Sequence, residues 1–186
     1  MSEILIYSIV LAFALSGELL FLAIGAGVAM HPYSSWLNIK AAFIFGLAQF
    51  VMATFALFMG SLISGFMPEL SFMAGAITIA FVGVKLILEA NKVKNDSRTF
   101  LIEDIQILLG VSLAASFNTV LAFTGLGMIL KQFFYSPLLI LTAVIWIVVF
   151  MGIFIGNKYR PERLGRFSKY SGGLILVFLA IYLGFQ

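Results

Sequence analysis

Six long apolar stretches dominate the sequence, at about residues 4–30, 37–64, 70–88, 105–130, 137–156 and 170–185. A helix of about 20 apolar residues crosses the roughly 30 Å hydrocarbon core of a bilayer. Segments that disfavour helix, marked by Pro32, Pro68, Pro137 and Pro161, separate several of these stretches. A membrane barrel would instead need alternating segments of about ten residues, and the sequence has none. We therefore predict an all-α integral membrane protein with six transmembrane helices.

The composition agrees with a membrane location, because 62% of the residues are hydrophobic and only 10% are charged. A soluble domain has about a quarter of its residues charged. The net charge of +3 would suit nucleic acid, but the charges cluster between the apolar stretches. We expect the lipid bilayer, and no nucleic acid, as a partner, and the oligomeric state is left open. We also expect the first stretch to be retained, since it is too long for a signal peptide.

The basic residues predict how the chain crosses the membrane, because loops rich in lysine and arginine stay in the cytoplasm. The predicted loops on one side of the membrane contain a single basic residue, Lys131. The loops of the other side and their flanks hold Lys40, Lys92, Lys94, Arg98, Lys158, Arg160, Arg163, Arg166 and Lys169. This bias places both termini on the non-cytoplasmic side of a cell inner membrane or plasma membrane.

The first and fourth stretches carry related residues. Ser16, Glu18, Gly25 and Gly27 recur, each 100 residues later, as Ser116, Asn118, Gly125 and Gly127. The segment 74–77 resembles 172–175 more weakly. We predict one membrane domain made of a first repeat at about 4–88, a charged cytoplasmic linker at about 89–104 and a second repeat at about 105–185. Three helices per repeat make the two halves inverted, as is typical of secondary transporters.

Polar side chains near the centres of three stretches predict a site within the membrane. Glu18, Gln49 and Asn118 occupy these positions, and Ser16 and Ser116 add hydroxyl groups at a similar depth. A carboxylate at the bilayer centre costs about 2.5–3.5 kcal/mol, so such groups turn towards one another or a cavity. Hard cations such as manganese prefer oxygen donors of these kinds. We predict that these five residues form a metal site.

A purely structural role is the alternative for the two amides. Gln49 and Asn118 could each bond one helix to another, which is worth about 0.6 kcal/mol. Lys85 and Glu89 also have a structural interpretation. We expect them to pair across one helical turn, with the lysine side chain reaching towards the interface.

Catalytic motifs are missing from the sequence. It contains no Ser-His-Asp set, no phosphate-binding loop and no zinc-ligand spacing. Cysteine is absent, which excludes disulfides and thiolate metal sites. We therefore predict no enzyme, no catalytic residue and no cofactor.

Short motifs in a set order link the chain to a known family. They are Ser16-Gly17-Glu18, Phe45-Gly46-Leu47-Ala48-Gln49, Gly83-Val84-Lys85 with Glu89, Ser116-Phe117-Asn118 and Gly172-Gly173. On these motifs the chain resembles the MntP-type manganese efflux pumps of the LysE-like exporter superfamily, over nearly its whole length. The resemblance implies a six-helix inverted-repeat exporter with a cation site in the membrane and manganese as its substrate. Inverted repeats predict alternating access, in which one half rocks against the other.

The chain departs from the family pattern at the acids. Where that family typically has Asp, Glu and Asp, this sequence has Glu18, Gln49 and Asn118. The formal charge of the site falls from about −3 to about −1, which neutralises a divalent cation less well. Two alternatives stay open: an exporter of an amino acid or other small solute, whose ammonium group would pair with Glu18, and a non-transporting membrane assembly factor.

Overall fold

The computed structural model describes residues 2–30, 32–92, 103–132, 134–159 and 162–185. This part of the chain is helical, with short connections and no strand. The helices are α1 Ser2–Ala29, α2 Ser35–Phe66, α3 Ser71–Lys92, α4 Ile105–Leu130, α5 Ser136–Tyr159 and α6 Glu162–Gly184. All six are long and apolar enough to cross a membrane. The prediction of an all-α membrane protein with six transmembrane helices is confirmed.

Two helix boundaries differ from the prediction. The helix α3 continues to Lys92, into the predicted linker, and α6 begins at Glu162 instead of near residue 170. Hydropathy marks only the apolar part of a helix, whereas charged side chains can continue the helix towards the membrane surface. Arg166 and Lys169, which the sequence assigned to a loop, therefore lie in α6. Residues 93–102 of the linker, with Lys94 and Arg98, and also Arg160 and Pro161 lie outside the described residues.

Local capping fixes the helix ends close to the predicted breaks. The Ser34 hydroxyl oxygen accepts a hydrogen bond from the backbone N–H of Leu37 at the start of α2. Asp104 accepts from the backbone N–H of Gln106 in the same way at the start of α4. Lys131 ends α4 in the left-handed conformation, with φ of 55°. Such caps satisfy backbone groups that a helix terminus leaves unpaired.

The helix neighbours have the symmetry of two repeats. The helix α1 packs on α5 and α6, and α4 packs on α2 and α3. The remaining main contacts join α2 to α5 and α3 to α6. Exchanging α1, α2 and α3 for α4, α5 and α6 converts the α1–α5 contact into α4–α2, and α1–α6 into α4–α3. The α2–α5 and α3–α6 contacts map onto themselves. The fold is therefore two three-helix repeats, which an odd number of crossings places in opposite orientations.

Glycines at repeat-related positions make the same close contact twice. A Cβ atom added to Gly27 of α1 would clash with the backbone carbonyl oxygen of Ile153 in α5. A Cβ added to Gly127 of α4 would lie 2.5 Å from the carbonyl oxygen of Leu57 in α2. Small residues let helix backbones approach closely within a membrane. The recurrence of glycine after 100 residues therefore has a packing cause.

Substitution of Gly27 tests this packing. Gly27→Ala should lower the free energy of unfolding by about 1–3 kcal/mol, because a backbone carbonyl cannot move aside as a side chain can. Gly110→Ala is the matched control, since a Cβ at this exposed helical glycine meets nothing within 4 Å. The control should be neutral or stabilising by up to about 1 kcal/mol. Thermal unfolding in detergent compares the two variants, and equal melting temperatures would contradict the packing argument.

The outer surface of the helix bundle is apolar and the interior contains small and polar residues. Large side chains that face outward include Phe13, Phe43, Val51, Phe81, Leu113 and Ile147. The inner face of α2 contains Ala42, Gly46, Gln49, Ala53, Ala56 and Gly60, all of them buried. An apolar exterior suits lipid contact. The small side chains of this face let neighbouring helices pack closely around Gln49.

Candidate functional site

Glu18 lies in the interior of α1, with its side chain 12% exposed. Asn118 of α4 donates a hydrogen bond from Nδ2 to Glu18 Oε2 over 2.7 Å. The ammonium group of Lys169 in α6 lies 3.5 Å from the other carboxylate oxygen, Oε1. The two residues that the sequence repeat relates to each other are thus in direct contact. Both oxygens of the carboxylate have a partner from the protein.

The amide of Asn118 links the acid to a second lysine. Its Oδ1 atom accepts a hydrogen bond from Lys85 Nζ of α3 over 2.6 Å. Lys85 Nζ also lies 4.7 Å from the centre of the Phe117 ring, a distance suited to a cation–π contact. The side chain of Lys85 is 28% exposed, and its reach towards the interface stays a prediction. A buried amide oxygen offers the ammonium group a partner in the interior.

Glu89 completes the group. Its Oε2 atom accepts from Lys169 Nζ over 2.6 Å, and its Oε1 atom lies 3.8 Å from Lys85 Nζ. The expected pairing of Lys85 with Glu89 is confirmed. We call Glu18, Lys85, Glu89, Asn118 and Lys169 the polar cluster. It joins α1, α3, α4 and α6, and its two carboxylates balance its two ammonium groups.

Charge pairing within the polar cluster explains how the fold tolerates Glu18. The acid alone would cost about 2.5–3.5 kcal/mol at the bilayer centre. Opposite charges about 4 Å apart attract by about 4 kcal/mol at an effective dielectric constant near 20, before desolvation is subtracted. Lys169 lies at such a distance from Glu18. The attraction is similar in size to the cost for Glu18, so pairing with Lys169 offsets much of that cost.

The other predicted ligands have different surroundings. The hydroxyl groups of Ser16 and Ser116 donate to the carbonyl oxygens of Phe13 and Ser112, each over 2.7 Å along its own helix. Gln49 is fully buried, and neither its Oε1 nor its Nε2 atom has a hydrogen-bond partner among the described residues. The structure therefore brings Glu18 and Asn118 together, with no hydrogen bond from them to Gln49, Ser16 or Ser116.

The position of Gln49 along the α2–α4 pair follows from the glycine contact between these two helices. A Cβ on Gly60 would lie 3.0 Å from the Cα of Gly127. Gln49 and Ser116 each precede one of these glycines by 11 residues, which is about three helical turns and returns to the same face. As the second and fourth crossing helices, α2 and α4 run in the same direction. Gln49 and Ser116 thus occupy equivalent positions along this pair.

The atoms that could ligate a cation at this site are oxygens of one buried carboxylate, of amides and of hydroxyl groups. In the part of the chain that the structure describes, no three His, Cys, Asp or Glu side chains are grouped to hold a metal ion. A cation that binds Glu18 would share the carboxylate with the Lys169 ammonium group and the Asn118 amide, or displace them. Serine hydroxyl groups that donate to the backbone keep free lone pairs with which they can accept or ligate.

The sequence interpretation missed Lys169 as a site residue. The lysine is only 8% exposed and lies on the same face of α6 as Gly172 and Leu176, at spacings of three and four. Gly172 packs against the backbone of Ala14 in α1. This helical spacing continues the inner face of α6 beyond the apolar stretch. It was the feature of the sequence that could have identified Lys169 as an inward-facing residue.

These features define a class of protein: a multi-pass membrane protein of two inverted three-helix repeats with a polar cluster buried between them. A family model described as "Mntp: Putative manganese efflux pump" matches residues 34–183. The match covers most of the chain, and the chain therefore belongs to this family. The resemblance found in the motifs is confirmed.

Individual relatives extend the match over nearly the full length. A "Putative manganese efflux pump MntP" of Clostridium tetani is 30% identical over 149 residues, which are 76% of this chain and 78% of the relative. Proteins of the same description from Crocosphaera subtropica and Campylobacter hominis are 25% and 26% identical. Each covers more than nine tenths of this chain, with 89% and 92% of the relative's own length. No solved structure matches.

The family points to transport of a metal cation across a membrane. Its description names an efflux pump, which is a transporter and not an enzyme, with manganese as the substrate. No cofactor is part of that description. The six membrane-crossing helices agree with this class.

Proposed function

We propose that the protein exports manganese from the cytoplasm by alternating access, with Glu18 as the main ligand of the cation. The hydrogen bond between Glu18 and Asn118 carries this proposal, because it joins the two repeats at repeat-related positions. In inverted-repeat transporters, substrates bind near the midplane at the repeat interface, and rocking of one half exposes the site to either side.

The cation shell that we propose contains the five predicted ligands. Glu18 contributes charge, and the amide and hydroxyl oxygens of Gln49, Asn118, Ser16 and Ser116 complete it. The unpartnered amide of Gln49 supports this shell, since a buried polar group without a partner costs about 1–3 kcal/mol. Binding of the cation would offset that cost.

The basic residues support the location of the protein and its orientation in the membrane. We propose that the protein lies in the cell inner membrane or plasma membrane with both termini outside the cytoplasm, as the distribution of lysine and arginine favours. The boundaries of the two repeats, with a charged cytoplasmic linker at about 89–104, are part of the same proposal.

Metal content tests the substrate. Cells that express the protein should contain less manganese than cells with an empty vector, and should tolerate more manganese in the medium. Elemental analysis across several metals makes the comparison, with iron, zinc and magnesium as internal references. Unchanged manganese with a fall in another metal would reassign the substrate, and no change in any metal would count against cation export.

The polar cluster also favours a second candidate, export of an amino acid. It places the Lys85 and Lys169 ammonium groups close to a buried carboxylate, so a zwitterion would find partners for both of its charges. Efflux from vesicles loaded with radiolabelled amino acids separates the candidates. Amino acid efflux that manganese does not affect would favour this second function over the first.

A further inference from the structure

Lys169 is a buried lysine shared by two acids. Its Nζ atom lies 2.6 Å from Glu89 Oε2 and 3.5 Å from Glu18 Oε1, so the same ammonium group contacts α3 and α1. The side chain of Lys169 is 9% exposed, whereas that of Glu89 is 36% exposed. The lysine thus connects the most buried acid of the polar cluster to a more accessible one.

The arrangement allows the ammonium group to move between its partners. A lysine stem has four flexible carbons and carries a compact charge that can rotate without losing its donors. Because Glu89 already holds Lys169 at the shorter distance, a small rotation away from Glu18 leaves the lysine paired. No other charge has to leave the cluster for this step.

This inference rests on the proposed function. We propose that Lys169 is a tethered cation that competes with the transported cation for Glu18, and that Glu89 holds the ammonium group when the transported cation binds. A divalent cation on Glu18 and an ammonium group at the same carboxylate repel each other, so the two occupy it in turn. Lys169 keeps the acid paired before the cation arrives and is displaced by it.

Manganese titration of the purified protein in lipid nanodiscs tests the competition. Lys169→Met removes the competitor and should lower the Kd for manganese by at least about tenfold, which corresponds to 1.4 kcal/mol. Lys169→Arg keeps the charge and should bind within about threefold of the unsubstituted protein. Arg166→Met is the matched control, because it removes the same charge from an exposed position of the same helix. It should leave the Kd unchanged.

A second variant tests the role of Glu89. Glu89→Gln should raise the Kd by about tenfold, because Lys169 then loses its second partner and stays on Glu18. The same substitution made together with Lys169→Met should have no effect relative to Lys169→Met alone. A simple electrostatic effect of Glu89 on the cation would persist in both backgrounds, and that outcome would overturn the proposal.

The outcomes separate this inference from the proposed function. If the unsubstituted protein binds manganese and Lys169→Met binds it equally or less tightly, the competition is refuted while manganese binding stands. If no variant binds manganese, the proposed function fails and the inference fails with it. Size-exclusion chromatography checks that each variant is folded. If Lys169→Met does not fold, Lys169→Gln, which also removes the charge, replaces it in both comparisons.

Discussion

Glu18→Gln should abolish manganese tolerance conferred by the protein, with export lowered by at least about 100-fold. Glutamine has nearly the same shape but no charge, and Glu18 is the acid that Asn118 and Lys169 both contact. A full negative charge attracts a unit positive charge about 4 Å away by about 4 kcal/mol at an effective dielectric constant near 20, which exceeds two factors of ten. Growth of a manganese-sensitive strain over a range of manganese concentrations gives the readout.

A matched variant separates this effect from a general loss of charge. Glu69→Gln makes the same chemical change at an exposed position between α2 and α3. Cells with this control should grow like cells with the unsubstituted protein. Full tolerance with Glu18→Gln at equal protein levels would show that export does not need this acid and would remove Glu18 from the cation site.

Asn118→Asp should make the stability of the protein depend on divalent cations. The amide nitrogen now donates to Glu18 over 2.7 Å, and a carboxylate there would face another carboxylate at that distance. Like charges so close destabilise the cation-free protein, whereas manganese bridging them would relieve the repulsion. Without metal, the melting temperature should fall by several degrees. Manganese should restore it and bind at least about tenfold more tightly than in the unsubstituted protein.

Two controls define what counts as support. Gln106→Glu adds the same charge at an exposed position near the start of α4, and should change neither the melting temperature nor its response to manganese. Asn118→Ala removes the hydrogen bond without adding charge, and should weaken binding. An unchanged manganese affinity of the Asn118→Asp protein would mean that position 118 lies outside the cation shell.

The fold was largely accessible from the sequence, because a bilayer restricts a chain of this kind to helices. Apolar length located the six helices, and the offset of 100 residues from Glu18 to Asn118 predicted a pair that the structure joins directly. The offset works because inverted repeats bring equivalent positions of α1 and α4 to one place.

Apolar length and the repeat did not predict which lysines contact Glu18 and Asn118. Hydropathy assigned Lys169 to a loop, although its ammonium group lies between Glu18 and Glu89 in the interior. The charges with which Lys169 pairs depend on how α6 packs against α1 and α3. The hydropathy of a single segment does not predict that packing. Gln49 is a different case, since its central position predicted a role in the site, and its amide has no hydrogen-bond partner among the described residues.

Manganese flux through purified protein in liposomes is the most direct test of cation transport through Glu18. A manganese-quenched dye inside the vesicles reports entry when manganese is added outside. The unsubstituted protein should quench the dye well above empty liposomes, and the Glu18→Gln protein should match the empty liposomes. Equal quenching by both proteins, or none by either, would contradict the role of Glu18 as the ligand of a transported manganese ion.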